Sequence, residues 1–305
     1  KYITGLLGVL TLCFTQDSIK PPDINKLQKD IKEGSLDGLF KLTEPMNMMD
    51  LFPNENSDPY IKPLFPHEID AILKKSKEFT PKPLTENDIV IMETQMGNLK
   101  LKLFSDVAPE HCLNFKKLAN SGFYDGTKFH RIIPNFMIQG GDILSRDANR
   151  KNDGLGNPGW TINEEFNKIE HKRGTLSMGR GPDPNSAGSQ FFICVADAPH
   201  LNGKYTAFGE VIENIDIIDN IVKSPTDYSN IKKACKNSIP KGENPKEWVT
   251  LIDPKSRKKL FARIPSGETA SSFSHKMSNE LKSDNPSFPI RMTKVRVIDK
   301  TVLDE

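Results

Sequence analysis

The chain is short of cysteine, of tryptophan and of any excess of charge, and each shortage removes a class of function. Only 4 cysteines and 2 tryptophans occur in 305 residues. Cys13 falls in the first apolar run, leaving Cys112, Cys194 and Cys235 without any C-x-x-C spacing. Neither a disulfide framework nor a zinc site is expected from such a set, and Cys112 and Cys194 read as small buried hydrophobes. The 42 basic and 40 acidic residues leave a net charge of +2, which argues against the strongly basic face that nucleic-acid binding uses. The basic run "KSRKK" at 255–259 reads as a solvated turn between two apolar stretches. No serine or cysteine stands in a pattern with a histidine and an acid, so a hydrolase would lack its nucleophile. No metal or organic cofactor is implied.

Long apolar runs are also missing. The most apolar start, "KYITGLLGVLTLCFTQ", is too short to span a bilayer and suits the hydrophobic part of a signal peptide. Three readings stand side by side for residues 1–16: a leader cleaved near Thr15 or Gln16, a lipoprotein leader acylated at Cys13, or a helix packed on the domain. The first two predict an exported protein of the periplasm or cell envelope, bound to the membrane only if Cys13 is lipidated. Residues 17–84 are rich in Pro, Asn, Lys and Met. They read as a helical and linker-like extension with helix candidates at 24–31 and at "HEIDAILKKSKEF", the "KPLFP" and "PKP" pieces being extended.

What is present from Ile89 onward is β texture. "IVIMETQMGNLKLKLF" alternates around a Gly-Asn pair and predicts a hairpin. "SDVAPEHCLNFKKLANSG" places Pro109 at a first helical position, Cys112, Phe115 and Ala119 on one face, and Gly122 as a stop. Strands are expected at 129–138, 174–178 and 190–196, in "YTAFGEVI" and in the closing "IRMTKVRVID", with a second helix near "NIDIIDNIV". Many short strands with two covering helices favour a closed or nearly closed antiparallel barrel over a parallel α/β sheet. The expected divisions are a barrel over 85–224, a polar insertion over 225–288 and the last strand with a tail over 289–305. Within the insertion "EWVTLID" and "KLFARI" are expected to pair as a hairpin, and the Ser-rich stretch after them reads as a flexible loop.

The segments "DGTKFHRIIPNFMIQGGD", "GNPGWTINEEF", "GTLSMGRGPDPNSAGSQFFI" and "LNGKYTAFGEV" resemble, in order and spacing, the signature segments of the cyclophilins, the peptidyl-prolyl cis-trans isomerases. The resemblance reaches neither the leader, nor residues to about 84, nor the insertion. It implies a mainly β fold, a closed eight-stranded antiparallel barrel capped by two α-helices, here with a helical N-terminal extension, and a substrate groove for proline-containing polypeptides on its outside. Carried over residue by residue, Arg131 is the catalytic guanidinium, and Phe136, Met137, Phe192 and Leu201 form the proline pocket. Gln139 and Gln190 bind substrate or hold Arg131. The backbone of Gly179, Arg180 and Gly181 pairs with an extended peptide, and His200 and Tyr205 complete the groove. The chain departs from the pattern twice. His200 stands where many members carry tryptophan, which predicts weak cyclosporin binding, and Tyr205 stands where well-studied members carry histidine. A monomer folding exported proteins is expected; the alternative is a proline-segment binding or scaffold module with little turnover.

The residues read by themselves agree. Rotation about an X-Pro bond crosses a barrier of about 18 to 20 kcal/mol because resonance stiffens the C–N bond. In the twisted state the proline nitrogen gains a lone pair, so a fixed donor aimed at it stabilises the transition state more than the ground state. Arginine suits this because it never deprotonates and its fork reaches a neighbouring carbonyl too. The plain alternative for Arg131 is a structural ion pair. Strand alternation makes at least one of Phe136 and Met137 core, and the resemblance assigns Phe192 to the groove and Phe191 to the interior. His130 reads as a buried, hydrogen-bonded histidine.

Overall fold

A computed structural model describes residues 62–303. The leader and the 24–31 helix candidate lie outside them. The first described helix, α1 (Pro66–Glu78), starts on a proline and carries Ile69, Ile72 and Leu73 at i, i+3 and i+4. These pack into the main core, so this end of the extension is part of the barrel's packing rather than a free linker. Its Ser76 hydroxyl accepts from Ser121 of α2 (Pro109–Ser121) at 2.8 Å.

β1 (Asp88–Thr94) and β2 (Gly97–Leu103) form the expected hairpin. The turn, however, is Gln95 and Met96, not the Gly-Asn pair. Gly97 opens β2 opposite Thr94 at φ 124°, and a Cβ there would lie 2.6 Å from Ile217 Cδ1. Glycine is present for close approach and backbone sign, which strand periodicity does not reveal. α2 buries Cys112, Phe115 and Ala119 completely and ends at Gly122, whose φ is 85°.

The single strand expected at 129–138 is two strands, β3 (Arg131–Ile133) and β4 (Met137–Gly140), folded back on each other across a turn with Asn135 at φ 59°. β5 (Thr175–Met178), β6 (Phe191–Cys194), β7 (Ala207–Glu213) and β10 (Met292–Asp299) complete the sheet. Its order is β10-β1-β2-β7-β5-β6-β4-β3, every pair antiparallel. The fold is thus mainly β around a curled eight-stranded sheet. The expected full closure is not a continuous ladder. The chain leading into β3 meets the chain leading into β10 through a Lys128–Arg291 bridge, backbone hydrogen bonds such as Phe129 N–H to Ile290 O at 2.9 Å, and the Arg291 side chain, which donates to Gly126 O at 2.9 Å.

Two covering helices were expected, and five α-helices occur among the described residues. α2 and α3 (Asp216–Val222) are the expected pair. The others are α1 and two in the insertion, α4 (Asp227–Ala234) and α5 (Ala270–Glu280). α5 occupies the stretch expected to be a flexible loop. Thr269 accepts from Ser272 N–H at its start, and Phe273, Met277 and Leu281 recur every four residues on one face. That face packs on the expected hairpin of β8 (Trp248–Ile252) and β9 (Lys259–Arg263), burying Val249, Leu251, Leu260 and Ala262 in a core of the insertion's own.

Candidate active site

Register places the site residues. Across β3, β4, β6 and β5 the directly opposed residues are Arg131, Gln139, Phe192 and Ser177. Opposed residues of antiparallel strands share a face, so these four form one row. The next row, Ile132, Ile138, Ile193 and Leu176, points the other way and is completely buried in the main core. The third, Ile133, Met137 and Cys194, returns to the first face. Two outward rows therefore flank an inward one, and the sheet presents Arg131 beside an apolar surface.

That surface is a cluster separate from the main core. Met137, Phe192, Cys194, Ala198 and Leu201 are buried in it, with Ile133, Phe136 and Tyr205 at its margin. Phe136 sits in the β3–β4 turn, so alternation does not apply to it, and it joins Met137 on one side. Phe191 is completely buried in the main core and Phe192 faces the slot. Beneath Phe192 the His171 ring is stacked at 6.1 Å, tied to Ser177 Oγ at 2.9 Å and Asn202 Oδ1 at 3.1 Å, and burial pushes its pKa below the usual histidine value against the Asn202 bond. Tyr205 meets Phe192 edge-on at 5.9 Å. His200 is exposed, its ring 5.4 Å from Phe136.

A relay of amides orients the guanidinium. Gln190 Nε2 donates to Gly154 O at 2.8 Å and Gly156 O at 2.9 Å, using both of its hydrogens. Its Oε1 is left to accept from Gln139 Nε2 at 3.0 Å, which turns Gln139 Oε1 toward Arg131 Nη1 at 3.4 Å. Arg131 keeps 46% of its side chain exposed, and its nearest carboxylate, Asp284 Oδ2, lies 3.8 Å from Nε. The guanidinium therefore points out over the slot's edge, and its ion pair lies at the surface.

Gly179, Arg180 and Gly181 are less open than expected. Gly179 N–H already donates to Gln190 O at 2.7 Å and Gly181 N–H to Ser186 Oγ at 2.9 Å, so within this stretch the Arg180 amide is the one left for a peptide. The Arg180 side chain folds back, donating to Lys204 O at 2.9 Å over the Tyr205 ring, 4.6 Å from its centroid.

His130 is buried as expected, but neither ring nitrogen has a partner of good geometry among the described residues, and burial lowers its pKa to about 4 against the pull of Asp153 and a weak hydrogen bond with the Lys128 backbone. The Cys112 and Cys194 thiols are completely buried, and burial raises each to about 12, which leaves them inert. Sequence reasoning missed Asp284 and its partner Lys255, 2.6 Å away. Nothing in the spacing between residues 131 and 284 announces that the insertion returns to the edge of β3.

Known proteins resemble this sequence. Residues 89–239 match the family model described as cyclophilin type peptidyl-prolyl cis-trans isomerase/CLD. A peptidyl-prolyl cis-trans isomerase of Acinetobacter baylyi is 43% identical over 145 residues, 46% of this chain and 74% of that protein. A probable peptidyl-prolyl cis-trans isomerase of Brucella suis is 42% identical over 139 residues, 44% of this chain and 71% of that protein. A solved cyclophilin type peptidyl-prolyl cis-trans isomerase of Cryptosporidium parvum, determined in the presence of the dipeptide Ala-Pro, is 26% identical, with a TM-score of 0.47 over 69% of this chain and 98% of that one. On the family model and on relatives matched across most of their own length, the chain belongs to the cyclophilin-type peptidyl-prolyl cis-trans isomerases.

Proposed function

We propose that Arg131 carries the isomerase activity, on proline-containing segments of exported polypeptides seated with the ring against Phe136, Met137, Phe192 and Leu201. The observation that supports this most is the row of β3, β4 and β6, which sets a half-exposed guanidinium beside an apolar slot. As the imide twists, the guanidinium donates to the pyramidal nitrogen, while the relay through Gln139 and Gln190 holds it in line. The apolar walls keep the ring and leave the preceding carbonyl free to swing. A rate gain of about 10⁵ corresponds to roughly 7 kcal/mol. One donor supplies about 3 to 4 kcal/mol, so exclusion of water and preferential binding of the twisted conformer carry the rest.

A protease-coupled isomerisation assay on Ala-Pro-Phe peptides tests this. Wild-type rates well above those of Arg131→Ala are expected; equal rates overturn the assignment. With the exposed His200 in place of an indole donor, cyclosporin binds weakly, and a nanomolar dissociation constant refutes that. Export rests on the apolar run before Thr15, and mass spectrometry of the mature N-terminus, including the state of Cys13, decides it. The second reading, a scaffold module with little turnover, draws on the insertion's separate core. Slow turnover together with a tight, saturable complex captured through the insertion favours it.

A further inference from the structure

The insertion does more than hang from the barrel. The Asp284 carbonyl accepts from Ile132 N–H at 3.0 Å, which fixes the returning chain to the edge of β3 one residue from Arg131. From there the Asp284 carboxylate, 14% exposed, faces Arg131 Nε at 3.8 Å and the Lys255 ammonium at 2.6 Å. Lys255 is itself held 3.9 Å from the centroid of the Tyr228 ring, and Tyr228 donates to Asp253 at 3.2 Å. Beside these groups lies a cleft of about 580 Å³, bounded on the barrel side by Ile132, Pro134 and Asn135 and on the insertion side by Tyr228, Lys255 and Asp284. Ile132, the residue after Arg131, and Asp284, which faces its guanidinium, both line this cleft, so the cleft adjoins Arg131. Three charges, those of Arg131, Asp284 and Lys255, stand in succession along that edge, positive, negative and positive.

We propose that Asp284 and Lys255 are specificity-determining residues, setting the preference of the groove for the charge of the residue next to the proline. The proposal rests on the reading of Arg131 as the group that acts on the imide. Asp284 offsets part of the field of Arg131, and Lys255 offsets part of that of Asp284, leaving one net positive charge among these three groups. Neutralising Asp284 leaves two, and neutralising Lys255 leaves none. The two changes therefore move charge preference in opposite directions, whereas damage to packing moves all substrates the same way.

The experiment compares kcat/KM for otherwise identical peptides carrying Glu-Pro, Lys-Pro or Ala-Pro. In Asp284→Asn the Glu-Pro to Lys-Pro ratio rises by about 2- to 5-fold, the effect of one unit charge at roughly 8 Å in a water-like dielectric. In Lys255→Met the ratio falls by about the same factor, with Ala-Pro turnover near wild type. Both shifts appear mainly in KM and shrink at high salt. Unchanged ratios, or shifts of the same sign in the two variants, overturn the proposal. If Asp284→Asn does not fold, Lys255→Met alone still decides the sign. If wild-type protein turns over no peptide, the isomerase reading of Arg131 has failed separately, and the same ratio taken from peptide dissociation constants still tests the charge preference.

Discussion

The slot and its charged rim are built on different principles although they touch. Every slot residue comes from the barrel, and Arg131, Gln139 and Phe192 are set by ladder register, which backbone hydrogen bonds fix. The rim comes from the later insertion, held by the Ile132 N–H to Asp284 O hydrogen bond, the Asn285 amide on Asp153 and partly exposed ion pairs. Register is rigid and insensitive to solvent, whereas half-exposed ion pairs contribute little stability and weaken with salt. If catalysis rests on the first and preference on the second, as proposed, the insertion can change selectivity without disturbing the barrel.

The sharpest way to break this comparison is at Arg131 itself. Arg131→Ala should lower kcat/KM about 10²- to 10³-fold, the usual cost of one preorganised donor. Its melting temperature should stay near wild type, since the side chain is half exposed and its ion pair lies at the surface. A large loss of stability with unchanged activity would make Arg131 a structural ion-pair partner and erase the distinction between slot and rim.

Next in size is the insertion's core. Phe273 is buried among Val249, Leu251, Leu260 and Met277, so Phe273→Ala should destabilise the insertion by about 3 to 4 kcal/mol. Because this core is separate from the main one, hydrogen exchange should accelerate in 227–281 and stay slow in β1, β2 and β10. Ala-Pro turnover should persist. Exchange that accelerates everywhere at once would show the two cores to be one cooperative unit.

These contrasts also show how much was legible in the sequence. The slot could be read because its residues sit in short segments whose order and spacing carry a family pattern. The barrel strands alternate, and α2 announces itself by Pro109 and Gly122. Turns were read less well, since Gly97 looks like a hairpin centre although its glycine answers to Ile217, and Asn135 splits one apolar run into β3 and β4. α5 was hidden by its serines, although Phe273, Met277 and Leu281 already stood at helical spacing. The rim was not legible at all, because no local pattern encodes that Asp284 returns to Ile132.

His130 adjoins Arg131 yet belongs to neither side of the comparison, and pH separates it from both. Burial holds it near 4 rather than the usual 6.5, so between these values the unfolded chain binds a proton that the folded chain refuses. Stability is therefore full above the unfolded value and falls as pH drops, by about 2 kcal/mol between pH 7 and pH 5. Asp142 and Asp153, whose pKa values burial raises, act in the opposite sense. The check is accordingly a difference: the stability of His130→Phe should depend on pH less steeply than that of wild type. Equal slopes would mean that the ring finds a partner in solution.

The smallest effect is expected where a partly exposed arginine ties the insertion to the barrel. Arg150 donates to both oxygens of Asp227, at 3.2 Å and 3.0 Å, and to Pro286 O at 2.8 Å. Its side chain is 42% exposed, so Arg150→Ala should cost less than about 1 kcal/mol in chemical denaturation. Asp227 keeps its other attachments, its N–H to Asn285 O at 3.1 Å and the Ser283 hydroxyl on Oδ2 at 2.8 Å. If the rim is held chiefly by the contact of Asp284 with β3, this variant should leave the Glu-Pro to Lys-Pro ratio unchanged. If the ratio shifts as it does in Asp284→Asn, the position of Asp284 depends on the whole seating of the insertion, and the rim is a property of that seating rather than of one hydrogen bond.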